Sequence, residues 1–190
     1  SSRDDVLGSY VMPGEEQLLR SNKKDLFLGE VKLNADGTRL AYTKNNRGKQ
    51  EVIVRNLENG REDVVMGSGF KLTGQEVDYS MPLIDWADTT RLGIIHTKGG
   101  IVTFTLVDVE SKNSLPRRLG RFKQINSLSF SDNGRLFIIS GVVRGKNDLY
   151  LLSSLRDRTK RLTNDLYDDI DPVFMPGTNT IILSSNRKSD

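Results

Sequence analysis

The sequence predicts an all-β fold, a propeller of four-stranded antiparallel blades, on three observations. One phrase occurs four times, at Leu33 to Thr43, Trp86 to His96, Phe130 to Ser140 and Phe174 to Ser184: an apolar residue, a turn cluster, then an apolar run. The residues just before the second strand of each hairpin, Arg39, Arg91, Arg135 and Thr180, stand 52, 44 and 45 residues apart. A period near 45 written in short strands is that of a propeller blade. The third observation is texture: "RLAYT", "EVIVRNL", "DLYLLSSL" and "TIILSS" are β-branched and aromatic over short runs, without the three-and-four spacing of a helical repeat.

Each element can be justified in order. The chain opens with "DVLGSYVM", "PGEE" and "QLLRSN", which read as a third strand, its hairpin turn and a fourth strand. The first whole blade, about 26–66, runs "GEVKLN", "ADGT", "RLAYTK", "NNRGKQ", "EVIVRNL", "ENGR", "EDVVM". The Asp-Gly and Asn-Gly pairs supply the positive φ that tight hairpins require. An extra segment, "GSGFKLTGQEVDYS", lengthens the first interval and is expected on a propeller face, where binding loops sit. The second blade, about 77–119, follows as "PLIDW", "ADTT", "RLGIIHT", "KGG", "IVTFTLVDV", "ESKN" and "LPRRLG". The third, about 122–165, is "INSLSF", "SDNG", "RLFIISGV", "RGKN", "DLYLLSSL", "RDRT" and "KRLT". The last unit gives "DIDPVF", "MPGT" and "NTIILSS" and stops where a third strand would begin. The ends, 1–22 and 166–190, therefore read as two halves of one blade. A ladder between them would close a ring and hide unpaired edges. The count is three whole blades plus one split between the termini, or a part of a larger propeller.

Composition bounds the function. The 190 residues suit one domain with a sizeable core, and 36% hydrophobic with 28% charged residues fits a soluble globular protein. No apolar run reaches the length that spans a bilayer. The net charge of +3 combines 28 basic with 25 acidic residues, and no basic cluster is interleaved with aromatics as in a nucleic-acid patch. Without cysteine there is no disulfide, thiolate nucleophile or zinc-thiolate site. The opening "SSRDDVLGSY" lacks the order of a signal peptide, so a targeting segment is expected to be absent or already removed.

"DDIDPVFMPGTNTIILSSNRKSD" and "SFSDNGRLFIISGVVRGKNDLYLLSSLRDRTKRLTND" together resemble the TolB-type WD40-like β-propeller repeat. Shared features are Asp and Pro before strand one, a Ser-Pro-Asp-Gly-like turn, an apolar second strand, a Ser-Asn-Arg end, a Tyr-bearing third strand and a Leu-Thr finish. The resemblance runs in register over essentially the whole chain. It departs at Thr89, which replaces the turn glycine, and in the third unit, which lacks the Asp-Pro opening. The resemblance implies a non-catalytic scaffold without a cofactor, periplasmic or envelope-associated in bacteria, that offers a face or central funnel to a protein or peptide partner. Similar propellers also gate substrate access in prolyl-oligopeptidase-like peptidases, where a separate hydrolase domain carries the chemistry.

Candidate functional residues are few. The single histidine, His96, ends "RLGIIHT"; with no G-x-S-x-G elbow in the chain it reads as strand structure rather than a triad member. One histidine without cysteine makes no zinc site. Asp165, Asp168, Asp169 and Asp171 cluster before a strand, yet lack the glycine and terminal glutamate of a calcium loop, so no metal is expected. Of these, Asp168, Asp169 and Asp171 are taken as binding candidates, and Asp171 with Asp85 would present negative charge to a funnel. Arg117, Arg118, Arg121 and Lys123 place four cations within seven positions at an inter-blade connection, suited to an acidic peptide or phosphate. Trp86 shares its register with Leu33, Phe130 and Phe174 and is expected in the core between blades, where truncation costs about 3–5 kcal/mol. Tyr42, Ile94, Phe137 and Ile182 are expected in the next layer.

Overall fold

The computed structural model describes residues 6–11, 15–20, 26–46, 49–67 and 81–187, and among them there are strands and turns but no helix. Sixteen strands follow in order: β1 Val6–Val11, β2 Glu15–Arg20, β3 Leu26–Leu33, β4 Arg39–Asn46, β5 Lys49–Asn56, β6 Glu62–Gly67, β7 Leu83–Trp86, β8 Arg91–Lys98, β9 Ile101–Asp108, β10 Ser114–Arg118, β11 Gln124–Phe130, β12 Leu136–Val143, β13 Lys146–Ser153, β14 Thr159–Arg161, β15 Asp169–Phe174 and β16 Ile181–Ser185. They make three four-stranded antiparallel sheets in chain order: β3 to β6 (blade 1), β7 to β10 (blade 2) and β11 to β14 (blade 3). β15 and β16 form a hairpin packed on blade 3. Most of the extra segment, residues 68–80, lies outside the described residues.

The hairpin turns are made as their residues dictate. Gly37, Gly60 and Gly134 have φ of 73°, 71° and 63°, the left-handed region that glycine enters without steric cost. The blade-2 turn, with Thr89 and no glycine, closes instead through Asp88, whose Oδ1 accepts the backbone N–H groups of Thr90 and Arg91.

Strand register confirms one apolar slot per blade: Leu33, Trp86, Phe130 and Phe174 lie opposite Leu40, Leu92, Phe137 and Ile181. In that register Leu136, not Arg135, is the equivalent of Arg39 and Arg91. The next layer is corrected too. Phe137 pairs with the slot residue itself, and Ile182 points away from blade 3 and is 54% exposed.

The core lies between blades rather than within them. Trp86, Ile84, Leu92 and Val107 of blade 2 pack on Ala41, Val52 and Val54 of blade 1. The opposite face of blade 2, with Phe104, Ile95 and Val102, packs on Phe130, Phe137, Ile139 and Tyr150 of blade 3. Ile138, Leu149 and Phe174 fill the contact with the last hairpin. Leu33 is the exception in its slot, at 55% exposure.

At the ends, β1–β2 and β15–β16 are two separate two-stranded sheets. Among the described residues no strand pairing joins the two. The far side of the last hairpin carries Ile170, Val173 and Ile182 exposed.

Candidate functional site

Antiparallel order gives the array two faces. Turns between first and second strands, and between third and fourth, lie on one. The other carries the turns between second and third strands and the connections from blade to blade. Asp168 and the stretch 119–123 belong to this connection face.

A polar cleft of ≈ 520 Å³ opens there between blade 3 and the last hairpin, lined by Asn126, Asn147, Asp168, Ser184, Ser185 and Asn186, with Ile170 at its side. One wall is a chain of amides. Gln124 donates to Asn126 at 2.7 Å, Asn126 donates to Asn147 at 3.4 Å, and Asn147 donates to the Asp169 carbonyl at 3.4 Å. Asp168 anchors the other wall through its backbone N–H to Asn186 Oδ1. Its carboxylate is left exposed. Asn126 and Asn147 stand near strand starts with no motif around them, and Asn186, although part of the Ser-Asn-Arg end, was not taken as a binding residue.

The structure separates the four acidic candidates. Asp169 is fully buried and ion-paired with Arg187 at 2.8 Å, and its Oδ1 has no hydrogen-bond partner among the described residues. Arg187 also reaches Asp165 at 2.5 Å; the Tyr167 N–H, and then this guanidinium, hold that carboxyl below its ordinary value. Asp171 is exposed and sits at φ 49°, unusual for a non-glycine residue before proline, where the β15–β16 register shifts. Asp85 is a strut between blades: its Oδ2 accepts the Phe130 N–H at 2.7 Å and its Oδ1 lies 4.0 Å from Lys32 Nζ. Burial raises its pKa, against the Phe130 N–H and Lys32, which lower it. Among the described residues no three acidic or histidine side chains converge on a common point.

The four basic candidates divide as well. Arg117 is half-buried and packs 5.3 Å from the Phe104 ring centre and 5.9 Å from that of Phe137. It donates to the carbonyls of Ser153 (2.8 Å) and Arg156, so it clamps blade 2 to the β13–β14 turn. Arg118 and Arg121 stay exposed on a groove with Arg158. Lys123 is exposed, and its backbone N–H pairs with Val142. His96 lies within β8 opposite Thr103, with a buried Nδ1 that has no partner among the described residues. Burial and then the Lys98 charge lower its pKa.

Neither a protein-family model nor a curated protein matches the sequence. Solved structures do match. TolB from Agrobacterium tumefaciens superposes with a TM-score of 0.72 at 13% identity, over 97% of this chain and 64% of that one. TolB from Acinetobacter baumannii gives 0.62 at 15% identity, over 90% and 43%. A prolyl endopeptidase gives 0.64 at 13% identity, over 92% and 28%. The chain spans less than two thirds of each, and likeness at such identity is likeness of fold. That fold is the β-propeller.

Proposed function

We propose that this chain is a non-catalytic propeller scaffold that takes a protein or peptide partner on its connection face, in the periplasm or envelope of a bacterium. The observation that carries the reading is the polar cleft between blade 3 and the last hairpin. Its Asn126, Asn147, Asn186 and Asp168 offer paired donors and acceptors at the ends of rigid strands, the chemistry that recognises a peptide backbone or polar side chains. The envelope location rests on the likeness to TolB propellers.

A second reading, the substrate-gating propeller of a prolyl-oligopeptidase-like hydrolase, is supported by the match to a prolyl endopeptidase over 28% of that enzyme. The sequence adjoining this chain in its gene discriminates the two: a G-x-S-x-G elbow selects the hydrolase.

The direct test of the scaffold reading is affinity capture from envelope extract with the intact protein and with an Asn126→Ala/Asn147→Ala variant. We expect one protein to be retained by the intact chain and its recovery to fall about tenfold in the variant, a loss of about 1.4 kcal/mol. Equal recovery would remove the cleft from the binding surface.

A further inference from the structure

A different surface, the outer rim where blade 2 meets blade 3, gathers cations that have no ion-pair partner among the described residues. We propose that it binds an acidic peptide that carries an apolar anchor residue. Two recesses meet there. One, of ≈ 590 Å³, is lined by Arg118, Arg121 and Arg158, with Asp157 as its one acidic residue. The adjoining recess of ≈ 530 Å³ shares Arg158 and Thr159 and adds Arg156 and Lys160 beside Leu136, Leu151 and Leu155. Leu155 is 58% exposed.

Most of the other described arginines are ion-paired. Arg39 pairs with Glu110, Arg55 with Glu62, Arg91 with Asp88, Arg161 with Asp148, and Arg187 with two aspartates. Among the described residues, Arg118, Arg121, Arg156, Arg158 and Lys160 have no such carboxylate. Like charges gathered on a concave surface raise the local potential and attract an anion.

The cluster is also held in place. Arg117 ties blade 2 to the carbonyls of Ser153 and Arg156, which fixes the turn carrying Arg158 opposite Arg118 and Arg121. A preformed cluster reduces the ordering cost of binding.

The occupant follows from shape and chemistry. β14 is the last strand of its sheet, so its outer edge is open to an added extended segment. Carboxylates of that segment would meet the cations while an apolar residue covers Leu136 and Leu155. Single-stranded nucleic acid is disfavoured because the nearby rings, Phe122 and Tyr150, are buried and offer no stacking surface. A flat bilayer would bridge the recesses without filling them.

The test is fluorescence anisotropy with the intact protein and a labelled peptide of about eight alternating Glu and Leu residues, long enough to run past β14 when extended. Arms with Lys in place of Glu, with inorganic phosphate as competitor, and with phosphatidylglycerol vesicles separate the sources of anionic charge. We expect the acidic peptide to bind and to weaken as salt rises toward about 0.15 M. The Lys peptide should not bind. Arg118→Glu/Arg121→Glu should raise the Kd about tenfold or more, and Leu155→Ser several-fold, with circular dichroism unchanged. The Asn126→Ala/Asn147→Ala variant should bind the peptide as the parent does, which keeps this surface distinct from the connection-face cleft. No binding of the acidic peptide, or binding unmoved by the charge reversal, overturns the proposal. Displacement by phosphate alone at peptide-like concentrations, or vesicle binding in place of peptide binding, overturns it too.

Discussion

Asp85 shows how a single side chain joins two blades. Its carboxylate accepts the Phe130 N–H from 45 residues further on, in a site where burial raises its pKa above 3.8. A carboxyl with a raised folded pKa contributes stability that is complete below its unfolded value and lost as pH climbs through the folded one. Asp85→Asn keeps an acceptor for Phe130 and removes the charge. The variant should therefore melt at or above the parent temperature near neutral pH and lose this group's share of the pH dependence. Asp85→Ala leaves the Phe130 N–H unpaired in a buried site and should cost about 1–3 kcal/mol. Thermal melts of the three proteins from about pH 4 to pH 8 decide the matter, and Asn as damaging as Ala would refute the strut. Much at this scale was legible in the sequence. The slot that holds Trp86, Phe130 and Phe174 follows from the repeat, and all three are buried. The division among Arg117, Arg118 and Arg121 was not legible, because it depends on which strand residue faces Phe104. That is a matter of register with a strand the local sequence does not name.

At the scale of elements, the turns carry an instruction beyond chain reversal. Gly134, at φ 63°, brings its turn so close to blade 2 that a Cβ would lie 2.2 Å from the Ala87 carbonyl oxygen. Gly145, at φ 79°, has nothing within 4 Å. Alanine at either position meets the left-handed penalty of roughly 1–2 kcal/mol. Only at Gly134 must backbone also move, so Gly134→Ala should lose clearly more stability than Gly145→Ala in urea unfolding; equal losses would mean the blades yield at that contact. The sequence announces both glycines as turn residues, but only packed blades distinguish them. The outer strands were hardest to read. β10 and β14 are short, polar and largely exposed, and lack the alternation that marks β9. The cationic rim is built from these two strands and the loops beside them, with Arg118 and Arg158 a blade apart in sequence.

For the whole molecule, the blade count was legible because the period repeats, whereas the relation of the terminal hairpins was not, since neither brings a full sheet. What the array does predict is cooperativity. Each apolar cluster is shared by neighbouring blades, and each junction is crossed by a strut at the first strand: Glu30 accepts from Ile84, Asp85 from Phe130 and Ser129 from Phe174. No sheet buries its faces alone, so damage at one junction should be felt at the next. Phe137 is fully buried and stacks on Phe104 at 4.4 Å between blades 2 and 3. The single tryptophan, Trp86, lies at the junction of blades 1 and 2 and bonds to the Lys32 carbonyl at 2.9 Å. Phe137→Ala should cost about 3–5 kcal/mol. If the described blades unfold as one unit, Trp86 fluorescence and far-ultraviolet circular dichroism will report the same lowered midpoint in denaturant, although the substitution is a junction away from the indole. A Trp86 midpoint unmoved while the dichroism transition splits would show blades melting one at a time, with the struts too weak to couple them.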